Sequence, residues 1–132
     1  MVLDPAGDDI LAMLAAATGG RGADVVFEAA GTDGGVGLAV HAAKAGGRVI
    51  LAGIPGDDST TFPASIARRK GLTIKLVRRM KEMYPRTTRL VDDGVVDVAS
   101  IVSHTFALDQ AGEAFRLASD RVGLKIIVTP GA

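Results

Sequence analysis

At 132 residues, 48 % of them apolar, the chain has the length of one domain and enough apolar side chains for a sizeable core. Fifteen basic and fifteen acidic side chains cancel, so no global field draws nucleic acid or an anionic membrane surface. Lack of cysteine excludes disulfides and cysteine–zinc clusters, and no apolar run approaches the roughly 20 residues that span a bilayer.

Taken in chain order, residues 1–7 carry an early acid and no basic stretch, unlike a secretory signal. Nothing points to secretion, and the cytoplasm is the expected compartment. Residues 2–4 read as the stub of a strand entering a Pro5-Ala6-Gly7 turn. Asp8 is placed to cap a helix over 9–18, with Ile10, Leu11 and Leu14 on one face. Gly19–Gly22 stops it. Val25-Val26-Phe27 is a short continuous apolar run, as in strands buried on both faces. Glu28-Ala29-Ala30-Gly31 follows at its carboxyl end. An alanine-rich helix is expected over 33–44, closed by Gly46 and Gly47. Residues 48–52 read as a second buried strand, ending at Gly53-Ile54-Pro55-Gly56. A third strand over 72–77 is more exposed, because Thr73 and Lys75 alternate with apolar residues. Alternation of strand and helix with crossovers of this length favours a parallel α/β sheet. Beyond it, Pro85 suits the first turn of a helix ending near Asp93. Residues 101–106 are extended, 109–119 helical and 124–128 a final strand. The alternating pattern ends at 94–96, which divides the chain into 1–95 and 96–132.

Ligands of open parallel sheets bind beyond the carboxyl ends of the strands. Three segments lie there: 28–32, 52–56 and 77–79. Glycine at such ends admits close backbone approach, and it also serves turns that hold no ligand. Gly35-Val36-Gly37 begins like a dinucleotide fingerprint, but the third glycine would fall where Val40 stands, and no acid follows at the required place. The two histidines, His41 and His104, have no neighbouring acid or cysteine at ligand spacing, so no metal or catalytic triad is assigned. Arg68, Arg69, Lys70, Arg78, Arg79 and Lys81 form a local basic cluster, mostly a solvated face. Arg79 differs because it follows a strand end, where a cation can meet cofactor phosphate or substrate oxygen.

These segments, in this order, resemble the medium-chain, zinc-dependent alcohol and polyol dehydrogenases. Gly22-Ala23-Asp24-Val25-Val26-Phe27-Glu28-Ala29-Ala30-Gly31 looks like their fourth-strand segment. Gly46 to Ile54 looks like the fifth strand, and Lys70 to Lys75 like the sixth. Ile101 to Phe106, Ala111 to Phe115 and Gly123 to Val128 are similar to the segment that returns to the catalytic domain. The likeness is strongest to the sorbitol and xylitol dehydrogenases, with threonine dehydrogenases near.

The resemblance implies a partial Rossmann-type sheet without its first strands (residues 1–95) and a return segment (96–132). It implies an oxidoreductase using NAD or NADP on a small-molecule alcohol or polyol. Ala30, Gly31 and Thr32 would lie near the adenosine half of the cofactor, and Ala52, Gly53 and Ile54 near the nicotinamide ribose. Arg79 falls on an arginine that follows the sixth strand in the polyol group, although Arg78 stands where an aromatic is frequent. The family's zinc ligands, glycine fingerprint and ribose-binding acid have no counterpart here. Met1 therefore reads as an internal or truncated start, and the chain is expected to be inactive alone and to bind cofactor weakly. Two other readings stand beside this: a non-catalytic remnant that self-associates through sheet edges, and a half-protein completed by another chain.

Overall fold

Short apolar runs separated by helix-length segments can bury their side chains only by lying side by side under a layer of helices. The computed structural model, which describes residues 2–78 and 80–131, shows this arrangement. It folds as two compact units, Met1–Arg79 and Met80–Ala132. The sequence-based boundary at 94–96 falls inside the second unit.

In the first unit, helix α1 (Ile10–Thr18) precedes strand β1 (Ala23–Glu28). Helix α2 (Asp33–Ala42) then leads to β2 (Ala43–Leu51), and helix α3 (Ala64–Lys70) to β3 (Thr73–Leu76). The strands pair in the order β1-β2-β3, all parallel. Residues 2–4 are not a strand. They run straight into a turn, where the Asp4 amide donates to the Asp8 carboxylate at 2.7 Å. With Asp8 so engaged, Asp9 rather than Asp8 caps α1, accepting from the Ala12 amide at 3.0 Å. The helix expected over 33–44 ends two residues early because Ala43 pairs with Ala23. From there to the Val25–Arg48 pair, β2 takes five steps for two on β1. The surplus residues, with Gly46 and Gly47, form a bulge.

Val36 and Ala39 of α2 pack on Val49 and Leu51 of β2, with Val26 and Ile74 beside them. Alternation along a strand sends the neighbouring side chains to the opposite face. There Val25, Phe27, Arg48, Ile50, Lys75 and Val77 line an open concavity of 520 Å³. Phe27 is 72 % exposed, so β1 is covered on one face only, not on both as its apolar run suggested.

Lys70 is another departure from the sequence reading. It sits half-buried, and its Nζ donates to the carbonyls of Val40, His41 and Ala43 at 3.2, 2.6 and 2.7 Å. These include carbonyls at the carboxyl end of α2, which lack partners within the helix. The lysine is a cap delivered from the neighbouring helix.

In the second unit, a short 3-10 turn precedes α4 (Tyr84–Asp92), with Pro85 in its first turn. Strand β4 (Val102–Ala107), helix α5 (Ala111–Ser119) and β5 (Lys125–Thr129) form a parallel β–α–β pair. Ser103 pins the register. Its Oγ donates to the Lys125 carbonyl at 3.0 Å and accepts from the Leu124 amide at 3.1 Å. Among the described residues, no helix is long and apolar enough to cross a membrane.

A candidate site at the strand carboxyl ends

The carboxyl ends of β1 and β2 converge. The Glu28 carbonyl accepts from the amides of Ala52 and Gly53 at 2.8 and 2.9 Å, which draws the two strand-end loops together. Gly31 turns with φ +69°, a conformation that side chains disfavour. A Cβ there would lie 2.7 Å from the Ile54 carbonyl carbon and 2.8 Å from its nitrogen. At Gly53, a Cβ would lie 2.6 Å from both the Gly31 Cα and the Glu28 Oε2. Both glycines are therefore committed to backbone-on-backbone packing of one loop against the other. Ala30, Thr32, Ala52 and Ile54 are exposed around this contact. The structure thus brings six of the seven residues expected from sequence to one end of the sheet. The seventh, Arg79, lies outside the described residues.

Beside the contact is a pocket of 190 Å³, lined by Gly31, Thr32, Asp33, Pro55, Gly56, Asp57 and Ser59. Thr32 caps α2, its Oγ1 accepting from the Gly35 amide at 3.1 Å. Asp33 holds the far end of the loop that follows β2. Its carboxylate accepts from the Thr61 hydroxyl at 2.6 Å and the Thr61 amide at 3.0 Å. The Thr61 hydroxyl, then the Thr61 amide, hold the Asp33 carboxyl below its ordinary value of 3.8. Two carboxylates on the rim favour the hydroxyl donors of a sugar and oppose a phosphate.

This clamp has a defined pH dependence. A depressed folded-state pKa means that the clamp contributes stability above pH 3.8 and loses it as pH falls through the lower folded value. The Thr61 amide resonance is expected to titrate with a midpoint below 3.8, and Asp33→Asn to abolish that step. A midpoint at or above 3.8 would show that the clamp does not form.

Sequence reasoning placed Glu28 in the strand-end segment 28–32 but assigned its side chain no role. It is buried, 5 % exposed, and its Oε1 accepts from the Gly31 amide at 2.7 Å. The available signal was a lone acid closing an apolar strand two residues before Ala30-Gly31.

A zinc ion, implied by the resemblance, does not fit these residues. Among the described residues, no three His, Asp or Glu side chains converge as a metal site. His41 lies on α2. His104 lies on β4, stacked on Phe106 at 6.3 Å, and its buried Nδ1 has no hydrogen-bond partner among the described residues.

Comparison with known proteins identifies the family and the fold. Residues 1–93 match the family described as zinc-binding dehydrogenase. The chain is 32 % identical to L-arabinitol 4-dehydrogenase of Hypocrea jecorina over 102 residues, covering 77 % of this chain and 27 % of the relative. It is 35 % identical to D-xylulose reductase of Morganella morganii over 107 residues, covering 81 % of this chain and 31 % of the relative. An Escherichia coli oxidoreductase of unknown specificity superposes with a TM-score of 0.85 at 27 % identity, covering all of this chain and 38 % of the other. The chain thus spans about a third of the length of the proteins it matches. Its parallel sheets correspond to the Rossmann-like C-terminal domain of medium-chain dehydrogenases. On a family match covering more than half its length, the chain belongs to the zinc-binding dehydrogenases.

Proposed function

We propose that the chain corresponds to the C-terminal part of an NAD(P)-dependent, zinc-type dehydrogenase that oxidises a polyol or another secondary alcohol. Residues 1–95 serve as part of the cofactor domain, and residues 96–132 as the segment returning to the catalytic domain. The observation that carries this reading is the pair of packed strand ends, with an acid-rimmed pocket beside them, at the end of the sheet where such folds take ligands. The matched relatives carry L-arabinitol and D-xylulose in their names, which supports a polyol as substrate class.

In this reading the backbone around Ala30, Gly31 and Thr32 faces the adenosine half of the cofactor. Asp33 and Asp57 offer acceptors to ribose hydroxyls. Ala52, Gly53 and Ile54 face the nicotinamide ribose, and Arg79 supplies a cation to cofactor phosphate or substrate oxygen. Bound nicotinamide would supply the hydride acceptor. The 132 residues alone are expected to turn over no alcohol, because no ligand set for zinc lies among the described residues and no glycine fingerprint lies in the sequence.

AMP at millimolar concentration is expected to shift the amide resonances of Gly31, Thr32 and Gly56. Purified chain given sorbitol, xylitol or threonine with NAD or NADP and added zinc is expected to show no turnover, and calorimetry no micromolar NAD affinity. Silence at all three amides would overturn the site. Turnover that follows the chain through purification, or micromolar NAD binding, would overturn the view that so few contacts remain.

A further inference from the structure

Among the described residues, Glu28 is the one buried charged side chain. No cation pairs with it, since the ion pairs found among those residues are Arg21–Asp24 and Lys44–Asp24. Two features offset its desolvation. One is the Gly31 amide at 2.7 Å. The other is the first turn of α2, whose Gly35 lies so close that a Cβ there would be 2.9 Å from Oε1. A helix amino end carries about half a positive charge. The second carboxylate oxygen faces the other way, against Gly53. The main-chain carbonyl of the same residue holds the amides of Ala52 and Gly53.

One residue therefore touches both strand-end loops, through side chain and main chain together. An acceptor for Gly31 alone requires only one neutral oxygen. A buried carboxylate is a costly way to supply it, and its second oxygen lies against Gly53, beside the direct backbone contact of Gly53 with Gly31.

We propose that Glu28 is a positioning residue that couples the two halves of the cleft, so that a ligand moving Gly31 also moves Gly53. This rests on the reading of loops 30–32 and 52–54 as the adenosine and nicotinamide-ribose sides. Coupling needs a physical element shared by both sites, and the Glu28 side chain is that element. A ligand at one lip then preorders the other, which is positive cooperativity between two parts of a single cofactor.

The test uses the full 132-residue chain, labelled with nitrogen-15, as wild type, Glu28→Gln and Glu28→Ala. Glutamine keeps an oxygen for the Gly31 amide but places an amide nitrogen against Gly53. Without ligand, Glu28→Gln is expected to move the Gly53 resonance while Gly31 stays near its wild-type position. Glu28→Ala is expected to move both and to speed exchange of the Gly31 amide at least tenfold. With AMP as the probe, Gly31 and Gly53 should respond together in the wild type. In Glu28→Gln the Gly53 response should fall by half or more while that of Gly31 persists. Exchange at Val26 and Val49, in the core, reports any general loss of structure separately. A Gly53 resonance unmoved by Glu28→Gln, or an AMP response at Gly53 equal in both proteins, would overturn the coupling. Should AMP shift neither loop, the nucleotide reading fails, while the ligand-free arm still decides whether Glu28 joins them.

Discussion

Gly53→Ala is expected to cost the first unit about 3 kcal/mol or more, a large share of the 5–15 kcal/mol that holds a domain together. The added methyl would press on backbone, namely the Gly31 nitrogen and its Cα at 2.6 Å, and on Glu28 Oε2 at 2.6 Å. The Glu28 side chain can yield a little; the Gly31 backbone atoms cannot. Gly31 is itself wedged against Ile54, and Thr32 is fixed as the cap of α2. Relief would require the whole turn from Glu28 to Thr32 to shift. Gly56→Ala, three residues along the same loop, is the matched control. A Cβ there meets nothing within 4 Å, so its cost should stay within about 0.5 kcal/mol. Urea titrations of the two variants separate the cases. Equal midpoints would show that the loops do not pack as described.

Self-association is the second large expectation. Parallel sheets are ordinarily covered on both faces, and here Val25, Phe27, Ile50 and Val77 line an uncovered one. Both outer edges of the three-stranded sheet also lack a described neighbour, which templates pairing with another chain. Lys75 and Thr73 blunt the edge at β3, whereas the apolar stretch of β1 has no such guard. Phe27 alone, 72 % exposed, offers about 1–2 kcal/mol of burial before the cost of association. Light scattering coupled to size exclusion is expected to show dimers or larger species at low micromolar concentration. Phe27→Lys should weaken association at least tenfold with little loss of stability, because the ring contributes little to the described core. A clean wild-type monomer with a cooperative melt would sink the idea.

Much of the fold was legible because strand and helix periods differ. The runs at Val25-Val26-Phe27 and 48–52, with a helix between them, leave a parallel sheet as the economical arrangement. The ends of those strands then point to the site, and Gly31 and Gly53 do meet there. What stayed hidden depends on partners distant in sequence. The role of Glu28 comes from Gly53, brought 25 positions back by the sheet, and from the first turn of α2. Lys70 looked like one cation in a solvated cluster, and only the crossover brings it to the end of α2. Phe27 misled in the other direction. A continuous apolar run signals burial on two faces, but periodicity cannot say whether the second covering layer lies within these residues. The close approach of one strand-end loop to the other is equally invisible in sequence, and it occupies both Gly31 and Gly53.

The spatial order of the first sheet repeats its order along the chain. Each new strand needs only the one before it as a template, so no pairing waits for a distant segment. During synthesis the amino-terminal part emerges first. The sheet can therefore grow outward in one direction as the polypeptide leaves the ribosome, with α2 and α3 laid down as each crossover closes. Of these three strands β1 is made first, and its edge toward β2 stays bare until that crossover closes. Stray pairing through that edge is confined to the interval before β2 has been translated.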